Sequence, residues 1–122
     1  MPAEAPRPLE WVGSTKADIK SFPEAVREVL GYALFQAQVG LKHQSVKPLR
    51  GLGGKVLEVI SRHDGDTFRA VYTVRFGTVV YVLHIFQKKA KRGIATPESE
   101  IDLIKRRLRA AEQHYRRNHG GG

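Results

Sequence analysis

The chain has 122 residues, with 21 lysines and arginines against 12 aspartates and glutamates and a formal net charge of +9. That length makes one domain with one core, and the 41% apolar and 27% charged composition is that of a globular protein, which excludes wholesale disorder. The absence of cysteine excludes a disulfide scaffold, a thiolate metal site and a cysteine nucleophile, and it suits a reducing cytosol.

Pro2, Pro6 and Pro8 make residues 1–8 an extended, mobile tail by expectation. A single domain is expected over 9–117, followed by a loose glycine-rich tail over 118–122. Leu9–Val12 is a short strand candidate. Ser14 or Thr15 is placed to cap a first helix, and Pro23 suits the first turn of a second one running to Gln38. In that helix Val26, Val29, Leu30, Ala33, Leu34 and Ala37 repeat at spacings of three and four, which makes one apolar face. Residues 42–54, rich in glycine and without a period, read as loop.

Three β-rich runs follow: Val56–Arg62, Phe68–Phe76 and Thr78–Lys89. Asp64-Gly65-Asp66 is a hairpin signal between the first two, and connections this short predict an antiparallel meander. In the middle run Phe68, Ala70, Tyr72, Val74 and Phe76 share one face, and Arg69, Val71, Thr73 and Arg75 share the other. Thr96 and Pro97 then open a last helix, with Glu98 and Glu100 at its positive end. Ile101, Ile104, Leu108, Ala111 and Tyr115 carry its apolar stripe to about Arg117. The expectation is an α+β domain with its helices on one face of a small antiparallel sheet.

Charge is concentrated late in the chain. Lys88, Lys89, Lys91, Arg92, Lys105, Arg106, Arg107, Arg109, Arg116 and Arg117 fall within one segment, which points to nucleic-acid contact over a merely solvated helix face. Arg69 and Arg75, on the sheet face expected to be open, are either phosphate ligands or surface charges that protect the sheet. His84 interrupts the apolar run Val79–Phe86 and is either a hydrogen-bonded structural group or a proton carrier. The five histidines lack metal-ligand spacing, so neither metal nor cofactor is expected. The Gly51–Gly54 stretch has no following helix or GK[ST] and reads as a turn, not a phosphate loop. No apolar run approaches the roughly 18 residues of a membrane span, and MPAEAPRPLE has no apolar stretch that could serve as a signal peptide, so none is expected. The expected location is the cytoplasm.

The segment KPLRGLGGKVLEV, followed by DGDTFRAVYTVRFGTVVYVLHIFQKKAKRGIATPESEIDLIKRRL, resembles the phage-derived and HigB-type branch of the RelE/ParE toxin superfamily. The resemblance extends from Leu9 to Tyr115. It implies a microbial RNase-like sheet of four strands with two N-terminal helices and a C-terminal helix. It also implies a toxin of a type II toxin–antitoxin system that cleaves mRNA on the ribosome and blocks translation. The implied partner is an antitoxin, commonly a helix-turn-helix protein encoded beside it, in a toxin–antitoxin hetero-oligomer.

By the same resemblance Arg69 matches the arginine that stabilises the scissile phosphate. Lys89 matches a basic residue beside the leaving group, and Lys88, Lys91 and Arg92 extend that basic edge. The lysine-rich strand of the RelE type is replaced here by Val56, Leu57, Glu58 and Val59, which leaves the general base open between His84 and Glu58. The expected endoribonuclease places Arg69 on the phosphate, Lys89 at the leaving oxygen and His84 as proton acceptor, with Arg75, Lys88, Lys91 and Arg92 on RNA phosphates. Two other readings are a ParE-like toxin that acts on DNA gyrase without cutting RNA, and an inactive phage-derived binding module. The antitoxin is expected on the open sheet face or on the last helix.

Overall fold

A computed structural model of the chain describes residues 5–88 and 96–118. The elements in order are β1 (Leu9–Trp11), α1 (Thr15–Lys20), α2 (Glu24–Gln38), β2 (Val46–Pro48), β3 (Val56–His63), β4 (Asp66–Thr73), β5 (Val80–Lys88) and α3 (Glu98–Asn118). The strands form one sheet in the order β1-β5-β4-β3-β2. The α+β class and the β3–β5 meander agree with the sequence. The sheet has five strands where four were implied, and it is mixed, because β1 runs parallel to β5 with Leu9 opposite Val80. Strand β2, in the segment read as loop, is three residues long, and Pro48 is tolerated there because β2 is an edge.

The meander follows from local chemistry. Asp64 and Gly65 both adopt positive φ (52° and 84°), the combination that a two-residue hairpin with the sheet's own twist requires. His63 then pairs with Asp66, and the ladder runs back to Val56 opposite Thr73. Between β4 and β5 the register slips after Val71. Val71 faces His84 but Tyr72 faces Val82, so Leu83 is an extra residue on β5.

Helices cover both faces of the sheet, a correction to the single covered face expected. On one side α1 and α2 bury Ile19, Val26, Leu30, Ala33, Leu34 and Ala37 against Phe68, Ala70, Tyr72, Val80, Val82 and Ile85. On the other, α3 buries Ile104, Leu108 and Ala111 against Val56, Val71, Tyr81, Leu83 and Phe86. The bulge explains why Tyr81 and Leu83 part from Ile85. Phe76 also changes sides, because β4 ends at Thr73 and the chain turns at Gly77 (φ 48°). There Phe76 stacks on Tyr115 with ring centres 5.7 Å apart, and a side chain at position 77 would meet the Tyr115 hydroxyl at 2.8 Å. Arg7 and Pro8 are built into the fold. The Arg7 amide donates to Gln38 O at 2.9 Å and Pro8 O accepts from Val80 N at 3.0 Å.

Candidate functional site

The polar residues of interest gather between the sheet and α3. Arg69 projects from β4 toward α3 and is 1% exposed. Its Nη1 donates to Glu58 Oε2 at 3.2 Å and to Thr96 Oγ1 at 3.4 Å. The Thr96 hydroxyl in turn donates to the same Glu58 oxygen at 2.9 Å. Thr96, expected as a helix cap, instead ties the start of α3 to β3. Arg69 Nε has no partner among the described residues. The open-face position expected for Arg69 is therefore corrected. The guanidinium is buried as an ion pair, which exists in a low dielectric only because Glu58 offsets its desolvation.

His84 lies one strand away on the same face, because the bulge at Leu83 turns it toward α3. Its ring stacks on Phe86 with centres 4.6 Å apart. His84 Nε2 lies 2.5 Å from Glu100 Oε1, and Arg107 Nη1 lies 3.5 Å from Nδ1 while also donating to Leu83 O at 3.0 Å. Arg107 has only donors and Glu100 as a carboxylate only accepts, so the consistent neutral tautomer carries its proton on Nε2 and receives at Nδ1. The Glu100 side chain is 31% exposed and that of His84 9%. Glu100 is thus the member of the pair that meets solvent, and His84 fixes its position.

Arg75 is not on an open face either. Its guanidinium donates to the carbonyls of Leu52 and Gly54, the latter at 2.7 Å from Nη2, and so pins the glycine-rich loop 51–54. Beside it Gly51, Leu52, Lys105, Leu108, Arg109 and Glu112 enclose a cavity of about 270 Å³ with Arg75. Lys88 is half-buried at the end of β5, opposite Thr67. Lys89, Lys91 and Arg92 lie outside the described residues. At the far end of α3, Tyr81 Oη lies 2.8 Å from His114 Nδ1. Burial, aided by Glu10 and Tyr115, holds the Tyr81 hydroxyl above its ordinary pKa.

Of the residues expected in the site, Arg69 and His84 are brought onto one sheet face together with Glu58, the alternative base. Arg75 is drawn off to the loop. Glu100, Thr96 and Arg107 complete the cluster; their local pattern marks them as a dipole-compensating residue, a helix cap and part of a basic run, not as site residues. Glu100 looks like a dipole-compensating residue in a first helical turn, and its contact with a histidine 16 residues earlier leaves no periodic trace. Among the described residues no group of histidines and carboxylates is arranged to hold a metal ion, and no helix is long and apolar enough to cross a membrane.

This three-layered arrangement, with two helices on one side of a meander and a long C-terminal helix on the other, is a RelE-like fold. A mutant of the E. coli toxin RelE with two arginine-to-alanine substitutions, solved in the free state, aligns with a TM-score of 0.56. It is 16% identical, and the match covers 87% of this chain and 98% of that one. Residues 17–109 match the family described as phage-derived protein Gp49-like. The chain belongs to that phage-derived family, a branch of the RelE/ParE superfamily. No curated protein matches it.

Proposed function

We propose that the protein is the toxin of a type II toxin–antitoxin pair and cuts mRNA on the ribosome without a metal. The observation that carries this reading is the His84–Glu100 couple, 2.5 Å apart, on the sheet face that also holds the buried Arg69. Metal-free RNA cleavage needs a group to take the proton of the 2′-hydroxyl, charge to stabilise the phosphorane, and a proton for the departing 5′-oxygen. The products are a 2′,3′-cyclic phosphate and a 5′-hydroxyl. Glu100, held by His84 and partly exposed, accepts the first proton. Lys88, with Lys89, Lys91 and Arg92 next to it in sequence, supplies charge and the leaving-group proton. Lys105 and Arg109 hold the RNA backbone without reading bases.

Arg69 has a different task from the one its motif implies. Paired with Glu58 and Thr96, it anchors the first turn of α3 and so positions Glu100. It reaches a phosphate only when that network opens. This burial is also what favours the second reading, a toxin of the same fold that acts on DNA gyrase.

Primer extension on mRNA translated with purified ribosomes and the purified chain separates the two. Discrete cuts within the reading frame, ending in a 2′,3′-cyclic phosphate and lost in Glu100→Gln, are expected. Intact mRNA with altered DNA supercoiling in cells would move the gyrase reading ahead.

A further inference from the structure

Four large apolar side chains are prominently exposed among the described residues: Tyr32 (55%), Phe35 (48%), Val39 (40%) and Leu41 (62%). All four fall on the outer face of α2 and the turn that follows it, at spacings of three, four and two. Single exposed apolar residues need no explanation, but a group of four on one helix end and the turn after it marks an interaction surface.

A second observation lies beside this patch. Behind Leu41 and Lys42 is a cavity of about 200 Å³, also lined by Arg7, Leu57, Tyr72 and Val74. Tyr72 is fully buried, and its hydroxyl has no hydrogen-bond partner among the described residues. A buried hydroxyl without a partner carries a desolvation cost that an arriving acceptor removes. Burial pushes the Tyr72 pKa up to about 12, so at neutral pH the group is a donor. Its neighbours at the cavity, Arg7 and Lys42, are both cationic. One donor and two cations among Leu41, Leu57 and Val74 fit a carboxylate on an apolar stem. They repel a cation and leave a plain hydrocarbon with an unanswered hydroxyl.

We infer that the outer face of α2 and the cavity behind Leu41 dock an acidic, apolar segment of the antitoxin, with one carboxylate seated over Tyr72, Arg7 and Lys42. This rests on the toxin–antitoxin reading and moves the partner from the two surfaces expected from sequence to a third. The sheet face is closed by α3, and the outer side of α3 is strongly charged. Among the described residues, the α2 surface joins an apolar patch to a pocket with the opposite charge to a +9 chain's natural partner. It lies across the sheet from His84 and Glu100.

The experiment uses the full chain and the protein encoded by its neighbouring gene, with affinity measured by calorimetry and folding checked by the urea midpoint. Phe35→Asp and Leu41→Asp, both at exposed positions, are expected to raise Kd at least about 30-fold with the midpoint unchanged. Tyr72→Phe keeps the ring and is expected to raise Kd about five- to tenfold. Lys42→Ala is expected to slow association and flatten its salt dependence. Unchanged affinity in Phe35→Asp and Leu41→Asp, or loss of binding in Lys105→Glu/Arg109→Glu instead, overturns the inference. So does the absence of any complex, and so does self-association of the chain alone that Leu41→Asp abolishes. Cleavage of mRNA by the chain without its neighbour is measured in parallel. Failure there removes the nuclease reading and leaves the docking result standing.

Discussion

The two faces of the sheet are built on opposite terms. Under α1 and α2 the contacts are almost wholly aliphatic and aromatic: Leu30, Leu34, Val26 and Ala33 against Ala70, Val80 and Val82, nearly all without solvent exposure. Under α3 an equally buried layer contains an arginine, a glutamate and a histidine, each answered by a partner from a different element. The first face needs only complementary shape, and its cost of failure is a cavity. The second needs every polar partner in place, because a lone buried charge is far more expensive than a void. Such a layer is poor economy for stability alone, and it is where a reaction can be housed.

The largest expected effect is on activity. Glu100→Gln keeps the shape of the side chain but removes the carboxylate that His84 positions. Single-turnover mRNA cleavage should fall by about 10²- to 10⁴-fold, with little change in the urea midpoint. A variant that cuts at the parental rate would remove the pair from the mechanism.

The next effect is on stability, and it sets one face against the other. Glu58→Ala strands Arg69 and should cost about 3–5 kcal/mol in urea unfolding. Replacing both members, as Glu58→Leu with Arg69→Met, should recover most of that loss. Leu30→Ala on the aliphatic face should cost about 3 kcal/mol, and no second substitution at a polar partner can recover it. If the double replacement is as unstable as Glu58→Ala, the ion pair is not what makes the α3 face demanding.

The smallest effect concerns Tyr72, whose hydroxyl on the aliphatic face has no hydrogen-bond partner among the described residues. Tyr72 keeps its proton in the folded state to about pH 12, whereas an unfolded tyrosine loses it near pH 10. The folded state therefore holds more protons above pH 10. The stability linked to this group is complete below pH 10 and drains away as pH rises toward 12, by about 2–3 kcal/mol in total. Thermal melts between pH 9 and 11.5 should show a shallower alkaline decline in Tyr72→Phe. Parallel declines in the two proteins would mean that Tyr72 does not carry it.

The sequence makes some of this plain and hides the rest for physical reasons. Helix α3 is legible because Ile104, Leu108 and Ala111 recur with the helical period, and the meander because Asp64-Gly65 forces a hairpin. What local pattern misses is neutralisation at a distance. Arg69 and Arg75 look like solvent-facing residues because nothing within a few positions answers their charge. Their answers come from Glu58 on β3, Thr96 ahead of α3 and the carbonyls of the glycine loop. The bulge at Leu83 is equally silent, since one extra residue alters alternation without altering composition. The facing of His84 toward Arg69 was anticipated, but from an alternation that the bulge breaks. The exposed face of α2 is visible only once the other face of the helix is known to suffice for the core.

Strand β1 has a consequence for how the chain comes into being. Its partner, β5, begins at Val80, about seventy positions downstream, whereas β3, β4 and β5 are joined by short turns. Contacts that close so long a loop form late, after the local hairpins have assembled. During synthesis Leu9–Trp11 must wait outside the ribosome until Lys88 has cleared the exit tunnel, and Glu100 emerges later still. A nascent chain therefore presents a half-finished sheet, with Glu100 and the start of α3 not yet packed against it, until the segment after β5 has emerged. On the proposed function, the ribosome that builds this protein is spared by the order of its own product.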